Sequence, residues 1–253
     1  MVGRMNTHSL GWLHNNLFKL VVLTLLVLNG PIVFGETQTS DDADFPETNA
    51  DPLRGFNRIS HGFNNFADKL VLRPLAKGYK TITPKFAQAG VRNFFGNLGD
   101  VSNSLNNILQ GKVKAGFSDV GRILINTTIG IGGLIDPATS MGLEKHNEDF
   151  GQTLRKWGVP KGPYLVVPFL GPSTITDSVA GPVNTALNPV RYLYPVDHRN
   201  IIYGVDAVVS RSELLEAEKA VFGDEYIFYR EAYLQRREYL TKDGVVEDAF
   251  DDF

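Results

Sequence analysis

The chain has 253 residues, 43% apolar and 21% charged, with a formal net charge of −3 and no cysteine. That length and composition suit a folded protein with one substantial core or two small ones. The absence of cysteine excludes a disulfide scaffold, thiolate metal sites, iron–sulfur clusters and a cysteine nucleophile.

Residues 1–19 carry Arg4 and Lys19 and no acid, and Leu20 to Leu28 is a run of nine uncharged, almost wholly apolar residues. The run is shorter than the roughly 20 residues a bilayer-spanning helix needs. Asn29, Gly30 and Pro31 then break it, and Val33-Phe34-Gly35 places small or modest side chains where a signal peptidase reads. A secretory signal peptide is expected over residues 1–35, cut between Gly35 and Glu36. Loss of Arg4 and Lys19 from the 25 cations leaves 23 against 28 acids, a net charge of −5. Residues 36–50 hold five acids and one aromatic, the composition of a flexible acidic linker.

Asp51-Pro52 is a helix start, since Asp accepts an orphan N–H and Pro at the first helical position loses no bond. From there Leu53, Phe56, Ile59, Phe63, Phe66 and Leu70 recur at spacings of three and four, which places them on one stripe. The opposite side holds Arg54, Asn57, Arg58, His61, Asn64, Asn65, Asp68 and Lys69. Arg73-Pro74 predicts a sharp boundary. Thr83-Pro84 opens a second long helix, ending near Gly111, and a third runs from Val113 to Ile129. The apolar run Ile129 to Ile135 contains Gly130, Gly132 and Gly133, each costing about 1 kcal/mol in a helix relative to Ala, so a bend or a close backbone approach is expected there. Asp136-Pro137 ends it. A short charged helix is predicted over Glu144 to Trp157, then an extended or hairpin insert over Gly158 to Pro172, which carries four prolines. Helices return at Asp177 to Leu187, with a break at Gly181-Pro182, at Ile201 to Leu215 and at Asp224 to Leu240. The tail, residues 241–253, reads as acidic and disordered. The class is therefore mainly α, with no large sheet.

No catalytic constellation emerges. His61, His146 and His198 have no partner at metal-ligand spacing, and no GxSxG elbow, P-loop or dinucleotide fingerprint is present. Glu148 and Asp149 are merely adjacent in sequence, which does not supply an acid and a base across a bond. No enzyme, metal or cofactor is expected. Net negative charge gives no positive field for nucleic acid, so no nucleic-acid partner is expected either. The Leu53 to Leu70 stripe is either an ordinary core face or an interfacial face lying in acyl chains. The glycines serve either tight helix packing or a smooth wall for an acyl chain. Composition does not decide between them.

Several ordered blocks resemble the MlaA/VacJ family of Gram-negative outer-membrane proteins. They are Asp51-Pro52-Leu53-Arg54-Gly55-Phe56-Asn57-Arg58, Asn93 to Leu98, Arg122 to Asp136, Glu148 to Leu154, Trp157-Gly158-Val159, Gly162-Pro163-Tyr164, Val167-Pro168 and Arg230 to Tyr233. The resemblance implies an MlaA-like helical domain over residues 51–240, a ring-like bundle of amphipathic helices in the inner leaflet of the outer membrane. It implies removal of mislocalised phospholipid from the outer leaflet through an amphipathic channel, with an outer-membrane porin trimer and a soluble periplasmic lipid-binding protein as partners. On that basis Gly130, Ile131, Gly132 and Gly133 are assigned to the passage wall or its gate. Phe56, Ile59, Phe63 and Phe66 are assigned to the membrane-facing surface or ring interior, and Arg54, Arg58 and Arg73 to headgroup contact. Family members usually carry a lipidated cysteine after the signal peptide, where this chain reads Val33-Phe34-Gly35-Glu36, so either amphipathic helices and the porin partner suffice for attachment or the start site is misassigned. The competing functions are a porin-associated structural or surface-spreading protein and an envelope lipase.

Overall fold

A computed structural model describes residues 51–245, which belong to the unit Ala50–Phe253. The expected signal peptide, its Gly35–Glu36 cleavage point, the acidic linker and the tail beyond residue 245 lie outside the described residues.

The unit is mainly α-helical with one small hairpin. In chain order it runs α1 (Arg54–Ala67), a π-helical turn (Asp68–Leu72), α2 (Arg73–Ile82), α3 (Lys85–Leu109), α4 (Val113–Thr128), the single turn α5 (Pro137–Ser140) and α6 (Phe150–Lys156). There follow β1 (Tyr164–Val167), β2 (Gly171–Thr174), α7 (Ile175–Leu187), a 3-10 turn (Pro189–Tyr192), α8 (Val196–Ala217) and α9 (Glu225–Thr241). The strands pair antiparallel, Tyr164 opposite Thr174 and Val167 opposite Gly171, so the proline-rich insert is a hairpin as its sequence indicates.

Three local readings change. Arg73-Pro74 is no boundary: the helix continues from α1 into α2 through the π turn, in which the Arg73 N–H donates to Asp68 O, five residues back. The wider turn makes room for the Pro74 ring and tolerates its missing N–H. Nor does Gly181-Pro182 break α7. Glycine before proline presents no Cβ to the ring, and Thr185 Oγ1 donates to Gly181 O at 3.0 Å. Residues 144–149, by contrast, are not helical, because their polar groups are spent elsewhere. Lys145 Nζ donates to Asp100, Asn103 Nδ2 to His146 O, and the Glu148 N–H to Asn103 Oδ1. The helix starts only at Asp149, whose carboxylate caps the Gln152 N–H at 3.0 Å.

Packing concentrates on α3 with α4 and on α2 with α8. The hairpin sits against α1 and α9. Its small apolar cluster is Tyr164, Val166 and Tyr226, flanked by Ile227, Tyr233 and Leu234. Two asparagines of α1, seven residues apart and so on one helical face, serve β1 as a neighbouring strand would. Asn57 donates to Tyr164 O and accepts from the Val166 N–H, while Asn64 donates to Val167 O and accepts from the Phe169 N–H, all at 2.7–3.0 Å. These amides cover the otherwise open edge of β1.

Candidate functional site

Burial in this protein is inverted. The largest fully buried side chains include Arg122, Gln152, Asn57, Asn106, Asn107, Asp100 and Asp119, whereas Phe56, Ile59, Phe63, Phe66, Ile82, Phe86, Phe117 and Leu124 are exposed. On α1 the entire phenylalanine stripe points outward and the polar side, with Asn57 and Ser60, points in. The hairpin tip extends this apolar surface: Phe169 and Leu170 are exposed, and the Phe169 ring meets Phe63 edge-on at 4.8 Å.

The polar interior is built between α3 and α4. Asn97, Asp100, Asn103, Ser104, Asn106 and Asn107 of α3 face Asp119, Arg122 and Asn126 of α4, which recur at helical spacings of three and four. Arg122, 1% exposed, is the hub. Its Nε donates to Asp100 Oδ2 at 3.2 Å and its Nη2 to Asp136 Oδ2 at 2.8 Å; its Nη1 reaches Thr139 Oγ1 and Leu143 O. Burial raises the Asp136 pKa, but hydrogen bonds from Thr139 and Arg122 outweigh it and hold the carboxyl far below its ordinary range. Asp119 accepts from Asn107 Nδ2 and faces His146 Nδ1 at 2.8 Å. Burial there dominates and pushes the Asp119 pKa up. His61 packs against Tyr226 and Tyr229, and desolvation lowers its pKa.

The glycine run forms the reversal that ends α4. The Gly133 N–H donates to Asn126 O and the Ile135 N–H to Gly130 O, with Ile131, Gly132 and Gly133 all at positive φ. Gly130 and Gly133 are buried, Ile131 and Gly132 exposed. A Cβ on Gly130 would lie 2.3 Å from Ile135 O and 2.4 Å from Asn126 O, and one on Gly133 would lie 2.8 Å from Asn97 Nδ2. The run therefore makes both a bend and a close approach between the turn and α3. Gly130→Ala is expected to destabilise the protein by about 1–3 kcal/mol, because the clash is with backbone. Gly132→Ala meets no atom within 4 Å and is expected to cost only about 1–2 kcal/mol, from its left-handed φ. Denaturation of the two variants in detergent micelles checks the order.

Next to this turn, Leu134 joins Val91, Phe94 and Phe95 of α3 and Ile202 and Val205 of α8 around a small cavity of about 190 Å³, lined only by apolar residues. Asn97, one helical turn from Phe94, donates to Thr127 Oγ1 at 3.0 Å but leaves its buried Oδ1 without a partner among the described residues. An apolar recess and an unsatisfied amide oxygen thus both adjoin the glycine turn.

The three predicted headgroup arginines have different settings. Arg54 is exposed on the first turn of α1. Arg58 pairs with Asp224 at 2.8 Å and lies 4.9 Å over the Tyr226 ring, tying α1 to α9. Arg73 pairs with Glu218 at 2.9 Å and lines a broad cleft between α2 and the segment after α8. The structure thus brings Arg73 together with other cations and ties Arg58 to α9. Sequence reasoning missed Arg122, Asp100, Asp119 and the α1 asparagines. The available signal was the repeated Asn, Asp and Ser on one side of α3, short side chains suited to a polar interior where Lys and Glu would suit solvent.

Among the described residues no helix is long and apolar enough to cross a membrane, and no group of three or more His, Asp or Glu is placed to hold a metal ion.

The family model for the MlaA lipoprotein matches residues 49–240. An uncharacterized protein of Rickettsia typhi is 38% identical over 194 residues, covering 74% of this chain and 76% of the relative. The intermembrane phospholipid transport system lipoprotein MlaA of Shigella flexneri is 32% identical over 230 residues, 88% of this chain and 89% of that protein. Its Escherichia coli K12 namesake is 31% identical with the same coverage. A solved chain from work on the structural basis for maintenance of bacterial outer membrane lipid asymmetry is similar, with a TM-score of 0.67 at 33% identity, covering 76% of this chain and 100% of that one.

Proposed function

The chain belongs to the MlaA lipoprotein family, and from that premise we propose that it is an outer-membrane component of intermembrane phospholipid transport. It takes mislocalised phospholipid from the outer leaflet through an amphipathic passage, hands it to a soluble periplasmic lipid-binding protein and so maintains lipid asymmetry. A porin trimer is its membrane partner.

The observation that carries this reading is the inverted burial. A water-soluble chain hides its apolar residues; here Ile59 is 76% exposed while Arg122 is 1% exposed. An apolar coat around polar groups that are mostly hydrogen-bonded to one another is the arrangement hydrocarbon favours, since an unpaired polar group in lipid costs several kcal/mol. Amphipathic helices too polar to cross the bilayer fit residence within one leaflet. The passage itself needs a polar side for the headgroup and an apolar side for the chains. The unpartnered Asn97 Oδ1 and the Phe94, Phe95 and Leu134 recess supply these beside Gly130, Ile131, Gly132 and Gly133. Outer-leaflet phospholipid is misplaced, so its removal requires a path and no bond making or breaking by the protein.

Deleting the gene is expected to raise surface-exposed phospholipid and detergent sensitivity, and the wild-type chain to restore both. Unchanged surface phospholipid in the deletion strain would overturn the proposal, and release of lysophospholipid or free fatty acid from vesicles by the purified protein would point to a lipase instead.

A further inference from the structure

The cleft holding Arg73 shares no lining residue with the apolar recess beside the glycine turn, and it is lined by charged side chains. It measures about 740 Å³, within the ~300–1,000 Å³ typical of small-molecule sites. Lys69, Arg73, Lys77 and Lys80 reach it from the π turn and α2, at spacings of four, four and three that keep them on one face. Lys219 enters from the opposite wall, and Val221 and Phe222 form an apolar shelf, Phe222 being largely exposed.

Three carboxylates also line the cleft, but each already has a partner. Glu216 holds Lys80 and Lys219, Glu218 holds Arg73 and Arg211, and Glu225 accepts from Asn65. Lys69 and Lys77 take part in no ion pair among the described residues, and the buried Arg73 Nε has no hydrogen-bond partner. Five cations against three carboxylates leave a positive excess. Two ammonium groups without a carboxylate partner, beside the Arg73 guanidinium, therefore face an anion with several acceptor oxygens, and a phosphoryl group has that chemistry.

We propose that this cleft is a phosphate-recognition site for a lipid headgroup of net negative charge, selecting anionic over zwitterionic phospholipid. It deepens the transport reading and rests on it. A phosphate diester would sit among Lys69, Arg73 and Lys77 with its glycerol end on Phe222. A zwitterionic headgroup would bring an ammonium toward the same lysines, where only Glu225, held by the neutral Asn65 amide, is not already paired with a cation.

The test uses the purified full chain in detergent and measures binding of dihexanoyl phosphatidylglycerol, dihexanoyl phosphatidylethanolamine and inorganic phosphate by calorimetry. The wild-type chain is expected to bind the phosphatidylglycerol about tenfold more tightly than the phosphatidylethanolamine, from two unpaired cations near the surface. Lys69→Gln/Lys77→Gln is expected to bring that ratio below about twofold, with Lys77→Gln alone giving an intermediate value should the double variant misfold. Equal wild-type affinity for the two lipids, or an unaltered ratio in the variants, would overturn the site. Inorganic phosphate binding as tightly as phosphatidylglycerol would show free phosphate, and not lipid, to be its ligand. Binding of neither lipid would count against the transport reading itself, whereas equal binding of both would count against the headgroup site alone.

Discussion

Arg122→Met is expected to cost about 3–5 kcal/mol of stability, the scale for removing one partner from a buried ion pair. The methionine would fill much of the volume, so packing loss is not the main cause. The loss is electrostatic: Asp100 and Asp136 would each lose a guanidinium donor, and Thr139 Oγ1 and Leu143 O would lose theirs. Lys145 still reaches Asp100, and Asn126 and Thr139 still reach Asp136, which sets the estimate below the cost of two wholly abandoned charges. Arg122→Lys is expected to recover less than half of the loss, because one ammonium cannot span two carboxylates and two neutral acceptors as the planar fork does. Against a total stability of about 5–15 kcal/mol for a domain, the methionine variant should yield little folded protein. Denaturation of micelle-bound protein measures both substitutions, and a change under about 1 kcal/mol for Arg122→Met would show that the polar interior is hydrated rather than sealed.

The second large effect lies on the surface. Ile59→Lys/Phe66→Lys is expected to leave helix content and thermal stability in detergent nearly unchanged while shifting the protein from the membrane pellet to the wash. Both side chains are exposed, 76% and 66%, and both stand on the outward stripe of α1. If that stripe lies in acyl chains, each substitution forfeits about 1.5–3 kcal/mol of apolar burial and adds about 2.5–3.5 kcal/mol for a lysine at depth, less whatever snorkelling recovers. Such a penalty outweighs what many peripheral attachments supply. The wild-type chain should stay in the pellet under high salt, since its attachment would be mainly hydrophobic. Unfolding of the double variant in detergent would place the stripe in a packed core, and full retention in the pellet would place it against solvent or a protein partner.

Much of the local structure could be read from residue order because it depends on short-range chemistry. Thr83-Pro84 and Asp224 open helices where expected, Gly111 closes one at a φ of +83°, and the prolines around Tyr164 to Val167 confine that segment to a hairpin. The failures were equally physical. Arg73-Pro74 continues because a π turn absorbs the proline, Gly181-Pro182 continues because glycine leaves space for the ring, and residues 144–149 stay extended because α3 takes their hydrogen bonds. The first and last of these depended on a geometry or a partner that no local rule specifies.

Residue order by itself determined the helical class, the amphipathic stripe of α1, the glycine-marked bend and the absence of any cysteine chemistry. It left undecided which side of each helix faces inward, because a stripe of Phe and Ile has the same periodicity whether it meets a core or a lipid. The tertiary structure decided that: Asn57 is held by the hairpin backbone, Arg122 by Asp100 and Asp136, and Asp119 by Asn107 and His146, all inside, and the phenylalanines are left outside. Buried polar groups are costly unless their partners stand within hydrogen-bonding distance, and those partners come from segments separated by up to 109 residues. Only the folded chain brings them together.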